Sequence, residues 1–141
     1  MREVSLHRQL MFWLLIPVLS LWVMGGVIAY NNAIKQALLG VSAETLAAHG
    51  AVSEPTAREM AAGVRQVTGA ALGASITGIA GPDGGSPEKP VGLVYIGLAD
   101  ANGSRAHRLN LGGGRETIRG RSVQQVLVLL RDLLIGKEQA S

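Results

Sequence analysis

The sequence predicts an α/β fold, a three-layer α/β/α sandwich built around a mixed β-sheet. Apolar runs of strand length alternate with segments of helical periodicity, which is the pattern of helices layered on a sheet. Val27 to Tyr30 is a short, continuously apolar run, as expected for a strand covered on both faces. Late in the chain, Asp100-Ala101-Asn102-Gly103 is a hairpin signal that adds an antiparallel pair. At 141 residues the chain suits one domain with one core.

Taken in order, residues 9–23 read as one buried or membrane-facing helix, interrupted by Pro17. After the strand at 27–30, Asn31-Asn32 offers cap chemistry for a helix over 33–39 that stops at Gly40. Ser42 and Glu44 open a short helix ending near Gly50. Ser53-Glu54-Pro55 opens a longer one, with Ala57, Met60, Ala61 and Val64 along one face and Gly69 at its end. Strands follow at 71–79 and 91–99, the second alternating Val91, Leu93, Tyr95 and Gly97 against Val94, Ile96 and Leu98. Arg105 to Leu111 alternates Arg/His with Ala/Leu, a half-exposed strand. The last helix, about 115–135, is expected to turn Ile118, Val123, Val126, Leu127, Leu130 and Leu134 inward.

Composition excludes several classes. There are no cysteines, so disulfides and thiolate metal sites are out, and no histidine or carboxylate pair has metal-ligand spacing. The net charge is +3, with Arg105, Arg108, Arg115, Arg119 and Arg121 clustered late, which favours an anionic ligand. One Phe, two Tyr and two Trp give little interleaving for base stacking, so nucleic acid is not an expected partner. The mean hydropathy of +0.27 is high for a small domain, and an exposed apolar amino-terminal helix would favour self-association into a homo-oligomer. Leu10 to Ala29 carries no charge and by length could span a bilayer, or act as a secretory leader cut after Ala29. Cleavage there would remove the 27–30 strand, and Gly25-Gly26 sits awkwardly in a spanning helix.

Chemistry points to two places. Residues 77–92, Thr-Gly-Ile-Ala-Gly-Pro-Asp-Gly-Gly-Ser-Pro-Glu-Lys-Pro-Val-Gly, form a glycine- and proline-rich connection between two strands. Glycine lets a ligand approach backbone N–H groups; the competing reading is a mobile hairpin loop. Without a Gly-Lys-Ser/Thr, the glycines do not make a phosphate-cradling nucleotide hydrolase. Tyr30 ends a strand and Lys35 lies in the first turn of the next helix, so both can converge on the strand's carboxyl edge. A partly desolvated lysine beside a phenol loses affinity for its proton and can serve as a base. By spacing alone, a packed tyrosine and a surface lysine are the alternative. His49 reads as a helix-end residue capping carbonyls rather than a general base. Asp83 and Glu88 read as solvated turn residues.

The 77–92 segment resembles the C-terminal domain of the CinA (competence/damage-inducible protein A) family, which also occurs alone as a nicotinamide-nucleotide amidase. The resemblance continues in Gly-Gly-Val-Ile-Ala-Tyr-Asn-Asn-Ala-Ile-Lys (25–35), Leu-Leu-Gly-Val (38–41), His-Gly-Ala-Val-Ser (49–53) and Gly-Gly-Arg-Glu-Thr-Ile-Arg (113–119). It divides the chain into an unmatched segment 1–19, a family-like domain 20–135 and a tail 136–141. The resemblance implies hydrolysis of nicotinamide mononucleotide to nicotinate mononucleotide and ammonia, without a cofactor or metal, in a bacterial cytoplasm. It implies a serine nucleophile working with Tyr30 and Lys35. It further implies a pocket lined by Thr77, Gly78, Ala80 and Gly81, Asn32 orienting Tyr30 or the amide, and Arg115 pairing with the phosphate.

The family's nucleophile motif, Glu-Ser-Cys-Thr-Gly-Gly, is missing. Glu3-Val4-Ser5-Leu6-His7-Arg8 stands roughly in its place, so Ser5 is the nearest candidate, beside bulky residues where the family has small ones. A coding stretch for Leu-His-Arg, read one base later, can encode Cys-Thr-Gly, so a shifted frame or misassigned start upstream of Ser20 is the expectation. A catalytically silent nucleotide-binding domain, or a version anchored through residues 10–29, are the other readings.

Overall fold

The computed structural model describes residues 26–136. Three helices come first, each started by a side chain that satisfies an orphan N–H of the first turn. Helix α1 (Asn32–Leu39) is capped by Asn31, whose Oδ1 accepts from the Ile34 N–H at 2.9 Å. Helix α2 (Ala43–His49) is capped by Ser42, and α3 (Glu54–Thr68) by Ser53 with Pro55 in its first turn. Gly40 and Gly69 close α1 and α3 in the left-handed region, at φ 64° and 68°, where a side chain would be strained.

Strands β1 (Gly73–Gly78), β2 (Leu93–Asp100) and β3 (Gly103–Asn110) pair antiparallel in the order β1-β2-β3. Ile76 lies opposite Ile96, and Ile96 opposite His107. The hairpin between β2 and β3 is pinned by Asp100, whose carboxylate accepts the Asn102 N–H at 2.7 Å and pairs with Arg105. Those donors, the Asn102 N–H first, hold its carboxyl below the ordinary range. Helix α4 (Arg115–Leu134) ends the described chain.

Strand alternation sends successive residues to opposite faces, and each face carries helices. On one face Ser75 and Gly97 meet α3, and the Ser75 hydroxyl donates to the Ala57 carbonyl at 2.6 Å. On the other, Val94, Ile96 and Leu98 pack with Ile118 of α4, joined by Ala74, Leu109, Val126, Leu129 and Leu130. A smaller cluster of Leu39, Val41 and Met60 ties α1 to α3. The layered α/β architecture is therefore the one the sequence predicts.

Two expectations need correcting. The described sheet is antiparallel throughout, and Val27–Tyr30 is not a strand in it. That segment alternates instead: Val27 and Ala29 pack against the α1–α3 cluster while Ile28 and Tyr30 face out. Nor do all the apolar residues of α4 turn inward. Ile118, Ser122, Val126 and Leu129 share the sheet-facing stripe, which leaves Val123, Leu127 and Leu134 on a flank about 100° round the helix, at 52%, 62% and 72% exposure. No helix of the described residues is long and apolar enough to cross a membrane. Of the uncharged 10–29 run, Leu10–Gly25 lies outside the described residues, as do the predicted helix at 9–23 and Ser5.

Candidate functional site

The glycine-rich connection between β1 and β2 is knit to its surroundings. At its base the Ile79 N–H donates to the Leu93 carbonyl and the Gly92 N–H to the Ile79 carbonyl. A turn over 86–89 closes on itself: Ser86 N–H donates to the Lys89 carbonyl, and Lys89 N–H to the Ser86 hydroxyl. Gly81 and Gly85 are required by packing, because a side chain at either would run into Val91.

Its two ends are held by long-range contacts. Thr77, buried near the end of β1, donates its hydroxyl to the Ala51 carbonyl at 2.6 Å. Arg115, the first residue of α4, donates to the Gly81 carbonyl at 3.0 Å. Lys89 reaches the His49 carbonyl at 2.6 Å. Between these, the Gly50 carbonyl accepts from the hydroxyls of Ser53 and Thr56. Three consecutive carbonyls at the end of α2 and the start of the following linker, at 49, 50 and 51, thus receive donors from the loop, from the start of α3 and from β1.

Among the predicted site residues, the structure gathers Thr77, Gly78, Ala80, Gly81 and Arg115 at this end of the sheet. Gly78 is tight against Val94, and Ala80 packs on the β2–α4 core. Thr77 and Arg115 each anchor a backbone carbonyl. Asn32 is the exposed first residue of α1. Tyr30 is 92% exposed just before the cap of that helix. Lys35 is 8% exposed, and its ammonium donates to the Ala29 carbonyl at 3.4 Å. Burial among neutral groups lowers its pKa from the ordinary lysine value. No hydrogen bond among the described residues joins Tyr30 or Lys35 to the glycine-rich end. His49 sits in the last turn of α2, and its carbonyl accepts from Lys89. No group of three candidate ligands for a metal ion occurs among the described residues.

Sequence reasoning missed Lys89 and the linker carbonyls. Lys89 is the single cation of the 77–92 segment, and that was the available signal. Thr77→Val would keep the shape but strand the Ala51 carbonyl without its donor. The expected loss is about 1–2 kcal/mol in urea unfolding, with unchanged slope. A midpoint equal to the parent's would show that the bond contributes nothing.

The arrangement of motifs is diagnostic when set beside known proteins. The CinA C-terminal domain profile matches residues 13–134. The chain belongs to the CinA C-terminal domain family. A CinA-like protein of Gemmatimonas aurantiaca is 57% identical over 116 residues, covering 82% of this chain and 27% of that protein. One from Anaeromyxobacter sp. is 54% identical over 106 residues, 75% of this chain and 26% of its own. The chain thus spans about a quarter of the length of these curated relatives. The crystal structure of competence/damage inducible protein CihA from Agrobacterium tumefaciens superposes with TM-score 0.71 at 44% identity, covering 74% of this chain and 64% of that one. That of competence damage-inducible protein A (ComA) from Klebsiella pneumoniae gives 0.74 at 34%, covering 78% and 68%. As a CinA domain the chain shares the fold of these proteins, and its loop and linker occupy residues within the matched range.

Proposed function

We propose that this CinA domain is an amidohydrolase acting on nicotinamide mononucleotide, releasing nicotinate mononucleotide and ammonia in the pyridine-nucleotide salvage of a bacterial cytoplasm. The observation that carries the reading is the state of Lys35. An amine buried against a carbonyl, with no ion-pair partner among the described residues, gives up its proton more readily than a surface lysine. A neutral amine can take the proton of a hydroxyl nucleophile as the oxygen attacks the carboxamide carbon. The tetrahedral adduct then expels ammonia, which leaves with a proton returned by the lysine, and water cleaves the resulting ester. Tyr30, five positions before Lys35, supplies a phenol to relay or hold that proton. Backbone N–H groups of the glycine-rich end suit the oxyanion, and Arg115 the phosphate.

The nucleophile is the part that the sequence leaves open, because Ser5 stands among residues unlike those of the family motif. That mismatch favours one competing reading: a domain that binds the nucleotide without turning it over. Ammonia release from the mononucleotide by the full chain, by Ser5→Ala and by Tyr30→Phe separates them. The proposal expects release that both substitutions reduce by at least about a hundredfold. Binding without release would establish the silent domain, and release untouched by Ser5→Ala would remove that serine from the mechanism.

A further inference from the structure

Most cations of the described fold have local work. Arg119 pairs with Glu116 and Arg131 with Asp132, while Arg65 and Arg121 donate to the nearby carbonyls of Ala71 and Gly112. Lys89 and Arg115 differ. They reach across 40 and 34 residues, both involve the glycine-rich segment, and both end on a neutral backbone carbonyl. The segment's two acids, Asp83 and Glu88, form no ion pair with either among the described residues.

A cation resting on a carbonyl makes an ion–dipole contact, whereas an anionic oxygen offers it an ion pair. A phosphate dianion arriving at such a group out-competes the carbonyl, because the exchange replaces an ion–dipole contact with an ion pair. The position of Lys89 suits that exchange. His49 and Ala51, whose carbonyls accept from Lys89 and from Thr77, are two residues apart, so their Cα atoms lie no more than about 7 Å from one another. Lys89 and Thr77 are thus tied to the same short stretch of backbone, residues 49–51. Gly50 leaves the ammonium room: a side chain there would begin 3.2 Å from the Lys89 Nζ, and the φ of 76° disfavours any residue but glycine.

We infer that Lys89 is a second phosphate-reading cation of the site, exchanging the His49 carbonyl for the phosphate of a nucleoside monophosphate. This rests on the nucleotide reading above and assigns to that site a residue which the family motifs did not single out. The exchange also unstraps the far side of the loop, so ligand entry and loop release are one event.

The test is calorimetric titration of the full chain, of Lys89→Met and of Lys89→Arg. The probes are nicotinamide mononucleotide, nicotinamide riboside (which lacks the phosphate) and inorganic phosphate, with folding checked by far-ultraviolet dichroism. The mononucleotide should bind Lys89→Met about tenfold more weakly than the parent, the riboside equally well, and arginine should restore most of the loss. Equal mononucleotide affinity in Lys89→Met overturns the inference, as does an equal loss for mononucleotide and riboside, which would mark a purely structural strap. Should neither mononucleotide nor riboside bind the parent, the mononucleotide reading fails. Inorganic phosphate then decides for Lys89: binding lost in Lys89→Met sustains it as an anion site, and unchanged or absent binding overturns it.

Discussion

Replacing Lys35 with alanine should lower ammonia release from nicotinamide mononucleotide by about 10²–10⁴-fold while leaving the protein folded, since general-base catalysis contributes that much. The pH profile gives the sharper test. The pKa of Lys35 is lowered by burial, so the neutral amine grows in as pH rises toward the ordinary value of 10.5, with its midpoint below it. Turnover should climb through that midpoint, and Lys35→Arg, which cannot lose its proton, should flatten the climb. Stability follows the same group with a definite sign. Between the folded-state pKa and the unfolded value of 10.5, the unfolded chain binds more protons, so stability rises with pH across that window. Below it the penalty of the buried ammonium is present in full. Lys35→Met, which keeps the aliphatic stem, should remove this slope. Unchanged turnover together with an unchanged slope would take Lys35 out of the chemistry altogether.

The element order was legible because punctuation in this chain is chemical. Asn31, Ser42 and Ser53 each cap a helix, and Gly40 and Gly69 each end one. The strands showed themselves through alternation and the Asp100–Gly103 turn. What failed was the assignment of faces and partners. An apolar run such as Val27–Tyr30 satisfies a buried strand and a one-sided strip equally well, and only pairing distinguishes them. In α4 almost every residue from Val126 to Leu130 is apolar, so periodicity could not choose the stripe that meets the sheet; packing of Ile118 against Val94, Ile96 and Leu98 chose it. The site was half legible. Glycine spacing marked the loop, but the contacts that hold it run from side chains to the carbonyls of residues 49–51, and backbone acceptors leave no trace in a sequence.

Close backbone packing also makes Gly97→Ala a substitution with a large expected effect on stability. Gly97 sits in the middle strand between Ser75 and Ala106, and a methyl group there would overlap the Ala57 carbonyl of α3 and crowd the Ser75 hydroxyl. Neither neighbour can yield cheaply. The Ala57 carbonyl lies on fully buried helix backbone and already accepts the Ser75 hydroxyl at 2.6 Å. Gly73 makes the same close approach to the Ala61 carbonyl, so α3 is seated on the sheet backbone to backbone. Lifting it by the width of a methyl group opens voids along that seam, for an expected loss of about 3 kcal/mol or more in urea unfolding. For a domain of this size that corresponds to a fall of roughly 10 °C in Tm. Gly112→Ala is the matched control: a side chain there meets nothing within 4 Å, and its effect should stay within about 0.5 kcal/mol. The damage should reach the site too, because the first turn of α3 carries Thr56, which holds the Gly50 carbonyl next to the two that receive Lys89 and Thr77. Mononucleotide affinity should therefore fall in Gly97→Ala even at temperatures where the variant is folded. A variant as stable as the control would mean that α3 is not seated on the sheet in this way.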